Sequence, residues 1–241
     1  MFRFYYCIFM NLFRAPYEIP RLIYMASHPE KYSLEKRYKK VRHIVQLMKR
    51  TGGVHTKAYG TENLPKEGGY IMYPNHQGKY DALGIFHTHE KPCSVLMDEA
   101  RSHAPITSQV VDLVEGKRIE KDNIRQSMRI ILEIAEEAAA GKRFIIFPEG
   151  GYFHNHNVVK EFKPGCFKSA LKAKVPIVPV ALIDSYKVFE GFHPGRVYTQ
   201  VHYLPAIPYE EYKDMKTVEI SELVRQKIID KIDEVLKERE S

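Results

Sequence analysis

The chain has 241 residues, of which 44% are apolar and 28% are charged. These shares are ordinary for a folded protein, so they exclude a collagenous, low-complexity or wholly disordered chain. The length fits one large domain, or a core with a small appendage. The three cysteines, Cys7, Cys93 and Cys166, are too few and too widely spaced for a disulfide framework or a paired metal site, which favours a reducing compartment.

The net charge of +7 is concentrated at the amino terminus. Residues 1–50 hold eleven Lys and Arg against three Glu, whereas the rest of the chain has a net charge of −1. Such asymmetry is typical of a basic segment that faces an anionic surface, either a membrane or a nucleic acid.

Residues 2–13 predict an amphipathic helix that lies in a membrane interface. The longest uncharged run, Phe4–Phe13, has ten residues, whereas a membrane-spanning helix needs about 20. No small-residue cleavage site follows the run, so a signal peptide is not indicated. On a helical wheel Arg3, Asn11 and Arg14 fall on one side, and aromatic and apolar side chains occupy the rest.

A second helix is predicted from Leu34 to Arg50, with Ser33 as its N-cap and Gly52–Gly53 at its end. Apolar residues recur along it at helical spacing. Its other faces carry basic residues, namely Lys36, Arg37, Lys39, Lys40, Arg42, Lys49 and Arg50. An ordinary helix with a solvated basic face has the same pattern. Paired with the aromatic first segment, however, this helix favours a two-signal membrane anchor, so we assign residues 1–53 to membrane docking and residues 54–241 to an α/β domain.

From Val54 onward, short apolar runs alternate with longer helical patterns. Strands are predicted at Val54–Tyr59, Tyr70–Tyr73, Cys93–Met97, Phe144–Phe147, Ile177–Leu182 and Val197–Tyr203. Helices are predicted at Asp81–Thr88, Ile124–Ala140, Gly165–Ala173 and Val218–Arg239. This alternation predicts an α/β domain with a mainly parallel sheet and helices on both faces. In such sheets, chemistry gathers in the loops at the carboxyl ends of the strands.

The loop after the second predicted strand carries His76 and Asp81, separated by a turn that contains Gly78. Across such a turn the two side chains are able to meet. A carboxylate bonded to one imidazole nitrogen fixes the tautomer and raises the basicity of the other nitrogen, which can then take a proton from a hydroxyl group. The spacing alone also fits a helix-capping Asp and an incidental loop His.

The wider sequence resembles the glycerolipid acyltransferases, specifically the bacterial 1-acyl-glycerol-3-phosphate acyltransferase family. Asn75–His76–x4–Asp81 resembles the first block of that family, and Phe147–Pro148–Glu149–Gly150 resembles the third. Residues 161–168 also fit, and residues 175–180 resemble the fourth block. The resemblance covers roughly Val54 to Leu204, with the blocks in the right order.

The resemblance implies a mixed, mainly parallel sheet flanked by helices, with an N-terminal membrane-associated helical pair. It implies that His76 is a general base, that Asp81 orients it, and that no acyl-enzyme forms. Glu149 and Gly150 would help to bind the acceptor. The donor would be acyl-CoA or acyl-carrier protein as a co-substrate, without a further cofactor. The acceptor would be 1-acyl-glycerol 3-phosphate, which gives phosphatidic acid in phospholipid biosynthesis.

Two departures from the family pattern concern the acceptor. The third block usually continues with Thr and Arg, but Gly151 and Tyr152 stand there. The second block usually ends in Arg, whereas its register here lands near Lys121, with Arg118 as the nearest guanidinium. We expect Arg118 or Lys121 to hold the acceptor phosphate, although a solvated turn fits them equally well. Glycerol 3-phosphate and other lysolipids therefore remain open as acceptors.

Partners and location follow from the same features. No metal is expected, because the His87–x–His89 and His154–x–His156 pairs lack a Cys or carboxylate at zinc-site spacing. A non-catalytic basic protein that binds membrane or nucleic acid is the alternative from a different class. Aromatic residues grouped with apolar ones fit lipid better than nucleic acid. We expect a peripheral or monotopic protein on the cytoplasmic face of an anionic membrane.

Overall fold

The computed structural model describes residues 2–152, 154–193 and 195–240. Its strands are β1 Val54–Tyr59, β2 Tyr70–Pro74, β3 Ser94–Asp98, β4 Lys117–Ile119, β5 Arg143–Ile145, β6 Ile177–Ile183 and β7 Val197–Tyr203. Its α-helices are α1 Phe2–Met10, α2 Ala15–Ser27, α3 Leu34–Gly52, α4 Asp81–Thr88, α5 Glu99–Ser102, α6 Thr107–Leu113, α7 Ile124–Ala139, α8 Lys168–Ala173, α9 Tyr209–Tyr212 and α10 Thr217–Glu240.

The strands form one sheet in the order β1-β7-β6-β2-β5-β3-β4. Strands β6, β2, β5, β3 and β4 run parallel to one another, and β7 runs antiparallel to β6 while pairing in parallel with β1. The prediction of a mixed, mainly parallel sheet is confirmed. Because five strands share one direction, the loops after β2, β3, β4, β5 and β6 all emerge at the same edge of the sheet.

Helices cover both faces of the sheet, as the sequence predicts. On one face α7, α8 and α10 bury residues that include Ile134, Ala170 and Ile228. On the other face α3, α4 and α6 bury residues that include Val41, Ile85 and Leu113. All six side chains are fully inaccessible to solvent. The two cores hold the sheet rigidly, which in turn fixes the loops at its edge.

Several short elements have too weak a sequence pattern to be predicted. Strand β4 is a three-residue edge strand with two charged residues, so it shows neither an apolar run nor clear alternation. Helix α2 contains Pro16 in its first turn, where a missing N–H costs nothing, and Pro20 inside the helix. Its Leu22 and Met25 are nevertheless buried in the same core as α3, so tertiary packing stabilises it.

The amino-terminal region therefore has three helices, and the predicted pair is wrong in this respect. Helix α3 begins at its predicted N-cap, where the Ser33 side chain accepts the backbone N–H of Lys36 at 3.3 Å, and ends at Gly53 with a φ of 61°. Helix α1 ends at Met10, short of Arg14. Within the described ranges, no helix is long and apolar enough to cross a membrane.

The basic residues of α3, predicted to face a membrane or, as the alternative, solvent, are buried in part. Arg37, Lys40 and Lys49 are buried. Arg37 pairs with Glu115 and Lys40 pairs with Glu18. The Arg3 side chain donates to the backbone carbonyl oxygen of Gly52 at the end of α3. It also donates to the carbonyl oxygens of His193 and Gly195, which precede β7. A buried cation needs a partner, and Arg37 and Lys40 have theirs within the protein, which leaves fewer charges for an external surface.

Candidate active site

His76 and Asp81 meet at the edge of the sheet, as their spacing predicts. Nδ1 of His76 lies 2.6 Å from Oδ2 of Asp81, so the imidazole donates to the carboxylate and its proton is fixed on Nδ1. Strand β2 ends at Pro74 and helix α4 begins at Asp81, so the two residues lie across one tight loop. The His76 side chain stays 17% exposed, and among the described residues Nε2 has no hydrogen-bond partner.

The Asp81 carboxylate is completely buried, yet every oxygen is satisfied. Oδ2 also accepts the backbone N–H groups of Gln77 at 2.6 Å and Gly78 at 2.9 Å, and Oδ1 accepts the hydroxyl group of Ser185. Hydrogen bonds of this kind hold the carboxylate in one orientation. Asp81 can therefore fix the imidazole and stabilise it when it gains a proton.

A buried amide network fixes the loop to strand β6. The Asn75 side chain accepts the Leu182 N–H at 2.7 Å and donates to the Leu182 carbonyl at 3.1 Å, which extends the pairing of β2 and β6. The Gln77 amide donates to Asn157 at 2.7 Å and accepts the Ser185 N–H at 2.9 Å. Sequence analysis missed Ser185 and Gln77. Ser185 follows the end of β6. Functional side chains gather in the loops at the carboxyl ends of such strands, so its position in the sequence could have pointed to it.

Glu149, from the third block, supports the loop from the other side. Its Oε1 accepts the His76 backbone N–H at 2.9 Å. Burial raises the pKa of Glu149 to about 7, despite this hydrogen bond. Gly150 follows with a φ of 73°, a backbone conformation that favours glycine. Glu149 and Gly150 thus lie at the same site as His76, in a turn after β5.

Aromatic rings surround the imidazole. The Phe147 ring stacks on His76 at a centroid distance of 4.3 Å, and the Tyr152 ring packs edge-on at 5.0 Å. A cleft of about 410 Å³ opens beside the loop, lined in part by Tyr80, Tyr152 and Ser185. The two rings pack against the imidazole, which stays partly exposed to solvent.

Arg118 and Lys121 lie at the edge strand β4 and in the turn after it. Arg118 pairs with Asp112 at 2.6 Å and donates to Ser102 at 3.0 Å. Lys121 pairs with Asp98 at 2.6 Å. The structure therefore shows both cations already engaged with carboxylates, three strands away from β2. Their predicted role in phosphate binding stays a prediction.

In the part of the chain that the structure describes, no group of three or more His, Cys, Asp or Glu side chains is arranged to hold a metal ion. His89 uses both ring nitrogens in hydrogen bonds at 2.6 Å, to the Tyr70 hydroxyl and the Lys91 carbonyl. The chemistry at hand is that of a His–Asp pair with an open Nε2, which suits proton abstraction from a hydroxyl group.

A comparison with known protein families identifies the family of this chain. A family described as "Acyltransferase" matches residues 55–183, which is more than half of the chain and includes the loops of His76 and Glu149. The chain belongs to the acyltransferase family. The identification based on the sequence blocks is thereby confirmed.

Relatives of this acyltransferase are named for one reaction. A putative 1-acyl-sn-glycerol-3-phosphate acyltransferase of Caenorhabditis elegans is 28% identical over 72% of this chain and 62% of its own length. The 1-acyl-sn-glycerol-3-phosphate acyltransferase of Saccharomyces cerevisiae is 26% identical over 80% of this chain and 64% of its own length. The match thus spans less than two thirds of these relatives. The 1-acyl-sn-glycerol-3-phosphate acyltransferase of Borreliella burgdorferi is 24% identical over 81% of this chain and 78% of its own length.

A solved structure shares the fold. The 1-acyl-sn-glycerophosphate (LPA) acyltransferase PlsC from Thermotoga maritima superposes with a TM-score of 0.72, covering 97% of this chain and 93% of its own, at 19% identity. The likeness extends over the amino-terminal helices as well as the sheet, so the whole described architecture is that of a known acyltransferase fold.

Proposed function

We propose that this acyltransferase transfers a fatty acyl group from an acyl thioester, acyl-CoA or acyl-carrier protein, to the free hydroxyl of 1-acyl-glycerol 3-phosphate. The product is phosphatidic acid, for phospholipid biosynthesis. The observation that carries the proposal is the 2.6 Å bond between His76 Nδ1 and Asp81, which leaves Nε2 open beside the cleft. The names of the relatives support the acceptor.

The proposed mechanism uses only the His–Asp pair and the two substrates. Nε2 of His76 takes the proton of the acceptor hydroxyl as its oxygen attacks the thioester carbonyl carbon. Asp81 stabilises the imidazolium that forms. The C–S bond then breaks, the ester bond is complete, and the imidazolium returns the proton to the departing thiol. The acyl group passes directly between substrates, so no acyl-enzyme is formed.

Glu149 and Gly150 are proposed to bind the acceptor through the turn they form next to His76. Tyr152, in the place of the family's Arg, favours a second candidate, in which the same chemistry serves glycerol 3-phosphate or another lysolipid. A non-catalytic basic protein is the weakest alternative. A binding protein has no need for a buried carboxylate that accepts four hydrogen bonds in order to orient one histidine.

Membrane docking is proposed through the aromatic surface of α1, α2 and the turn between them. Large apolar side chains are exposed there, including Phe9 at 72% and Phe13 at 74%. Arg14, Arg21 and Lys31 lie over the rings of neighbouring aromatic residues, a mixture of cations and aromatics suited to lipid headgroups. We place the enzyme as a peripheral protein on the cytoplasmic face of an anionic membrane, where free cysteines such as Cys7 stay reduced.

The docking surface is connected to the reaction site by packed rings. Phe4 of α1 packs edge-on against Phe189 at 5.4 Å, and Phe189 packs against Tyr80 at 6.1 Å. Tyr80 immediately precedes Asp81 and lines the cleft. A lysolipid in the bilayer would therefore have its headgroup close to His76 when α1 lies in the interface.

The first test measures thiol release by the full chain with acyl-CoA or acyl-carrier protein as donor. Lysophosphatidate, glycerol 3-phosphate and lysophosphatidylcholine are compared as acceptors. We expect lysophosphatidate to be used best, and His76→Ala to lower kcat about 10²–10⁴-fold, as for the loss of a general base. Asp81→Asn should also lose most activity, because an amide cannot accept all the hydrogen bonds that converge on Asp81.

The matched control is His55→Ala, since His55 is an exposed histidine on β1. It should retain the activity of the unmodified chain. Near-normal turnover by His76→Ala would reject the mechanism, whereas a preference for another acceptor with His76 still essential would reject only the acceptor.

A further inference from the structure

The turn after β5 lacks the guanidinium that the family places there. Tyr152 occupies that position, and its ring lies edge-on to His76 at 5.0 Å. A phosphomonoester carries close to two negative charges at neutral pH. Its recognition in proteins relies on charge-assisted hydrogen bonds from Arg and Lys, so the cations have to come from other elements.

Arg101 reaches this turn from α5, the short helix that directly follows β3. Its guanidinium carbon lies 5.2 Å from the centroid of the Tyr152 ring. The residue is exposed, and in the described ranges it forms no ion pair with a carboxylate. Its charge therefore lies one ring away from the imidazole, and no carboxylate among the described residues pairs with it.

Lys163 contacts the same turn. A Cβ atom added at Gly150 would lie 2.9 Å from Nζ and 2.8 Å from Cε of Lys163, so the lysine side chain lies directly over this glycine. The backbone N–H of Lys163 donates to the Pro148 carbonyl at 2.8 Å, which fixes the base of the side chain. Lys163 is also exposed, and the described part of the chain offers it no carboxylate within ion-pair distance.

We propose that Arg101 and Lys163, which both contact the turn 148–152, form the binding site for the acceptor's phosphomonoester. This inference rests on the proposed function and concerns two residues to which the sequence analysis assigned no role. In lysophosphatidate the phosphate and the reacting hydroxyl are attached to adjacent carbons, so the cations must lie about one side chain away from His76. The contacts with Tyr152 and Gly150 place them there.

The two side chains have complementary roles in this site. The planar guanidinium of Arg101 can donate two parallel hydrogen bonds to phosphate oxygens, whereas Lys163 acts as a point charge. Arg118 and Lys121 would have to leave Asp112 and Asp98 before they could do the same. Because Arg101 and Lys163 have no such competing partners, we assign the phosphate to them.

The test compares kinetics on lysophosphatidate and on the phosphate-free monoacylglycerol, with one acyl-CoA as donor. Arg101→Ala and Lys163→Ala should each raise KM for lysophosphatidate about 10–100-fold more than KM for monoacylglycerol, with a smaller effect on kcat. Arg101→Lys should recover part of the loss. Arg129→Ala and Lys237→Ala, which remove exposed cations from α7 and α10, serve as matched controls and should change neither constant.

The outcomes separate this inference from the proposed function. Lysophosphatidate use by the unmodified chain tests the function. Equal effects of Arg101→Ala and Lys163→Ala on both acceptors would overturn the inference alone. A selective effect of Arg118→Ala or Lys121→Ala, with none from Arg101→Ala or Lys163→Ala, would assign the phosphate to the pair that the sequence predicts. An enzyme that uses only phosphate-free acceptors would overturn the inference together with the proposed acceptor.

Discussion

His76 owes its orientation to a carboxylate that has no contact with water. Asp81 remains stable there because two backbone N–H groups, one hydroxyl and the imidazole all point at it. Glu149 is buried beside the same loop but accepts fewer hydrogen bonds. Burial therefore raises its pKa. The two carboxyl groups of this site thus lie in different hydrogen-bond environments.

Glu149 makes the stability of the protein depend on pH. Burial raises its pKa from 4.5 to about 7, so the folded state favours the protonated form. This contribution is complete below pH 4.5 and is lost as the pH rises through 7, because the unfolded chain ionises more easily. Because of Glu149, the free energy of unfolding of the unmodified chain should fall by about 2–3 kcal/mol between pH 5 and pH 8.5. Glu149→Gln should abolish this part of the fall.

Denaturant unfolding of both proteins at pH 5, 7 and 8.5 measures this difference. Glu210→Gln, which alters an exposed carboxyl on α9, is the control and should keep the slope of the unmodified chain. The same pH dependence of the free energy of unfolding in Glu149→Gln and in the unmodified chain would contradict the raised pKa of Glu149.

At the level of elements, the amino-terminal helices combine two roles. Tyr38, Val41 and Val45 of α3 belong to the core that covers the sheet, and so do Leu22 and Met25 of α2. Removal of residues 1–50 would therefore remove part of that core, and it cannot serve as a clean test of docking. The exposed aromatic residues of α1 and of the turn after it are separate from the core and can be changed by themselves.

We expect the double variant Phe9→Ser, Phe13→Ser to bind anionic vesicles at least tenfold more weakly, while its thermal unfolding is unchanged. Burial of one such ring contributes about 1.5–3 kcal/mol. Vesicle co-sedimentation across a salt series is the measurement. Salt should weaken binding of the unmodified chain only in part, because the apolar contribution is not screened.

Val218→Ser, which removes an exposed apolar side chain from α10, is the control and should bind vesicles normally. Equal binding by the double variant and the unmodified chain would show that another surface docks. Complete loss of binding of the unmodified chain at high salt would show that charge alone is responsible.

At the scale of the whole molecule, a hydrogen-bonded path joins the last turn of α10 to the loop of His76 and Asp81. Arg239 donates to Asp184 at 2.7 Å, and the Asn157 amide donates to the same carboxylate at 3.0 Å. Burial raises the pKa of Asp184, but hydrogen bonds from Asn157, Arg239 and Lys187 outweigh it and hold the pKa below its usual range. Ser185 comes next in the chain and bonds to Asp81.

We expect Ser185→Ala to lower kcat about tenfold with little change in KM, because it removes one hydrogen bond to a charged group. Arg239→Ala should lower kcat less, since its partner Asp184 does not bond to Asp81 itself. The double variant should be no slower than Ser185→Ala alone, because coupled residues are not additive. Ser185→Thr, which keeps the hydroxyl, should restore part of the rate.

Steady-state kinetics of these variants is the measurement, and Lys237→Ala is the control on the same helix. Additive losses from Ser185 and Arg239 would show that the path does not couple them. A loss in KM with kcat unchanged would show that Ser185 binds substrate and does not position Asp81.

The sequence by itself determined the α/β class, the main strands and helices, and the His76–Asp81 pair. These features depend on local patterns: apolar periodicity, turn residues, and two reactive side chains separated by one short loop. The Glu149 turn was predicted for the same reason, because Pro148 and Gly150 lie next to it in the chain. Helix α2 and strand β4 were missed, since proline and charged residues hide their patterns until packing stabilises them.

Only the tertiary structure decided which charges are available. In the sequence Arg37, Lys40 and Lys49 look as solvated as Lys36, and Arg118 looks as free as Arg101. Folding buries the first three and pairs Arg118 with Asp112, whereas Arg101 is placed beside Tyr152. Ser185 meets Asp81 across 104 residues of chain. Contacts between such distant residues depend on strand order and helix packing, which no local pattern encodes.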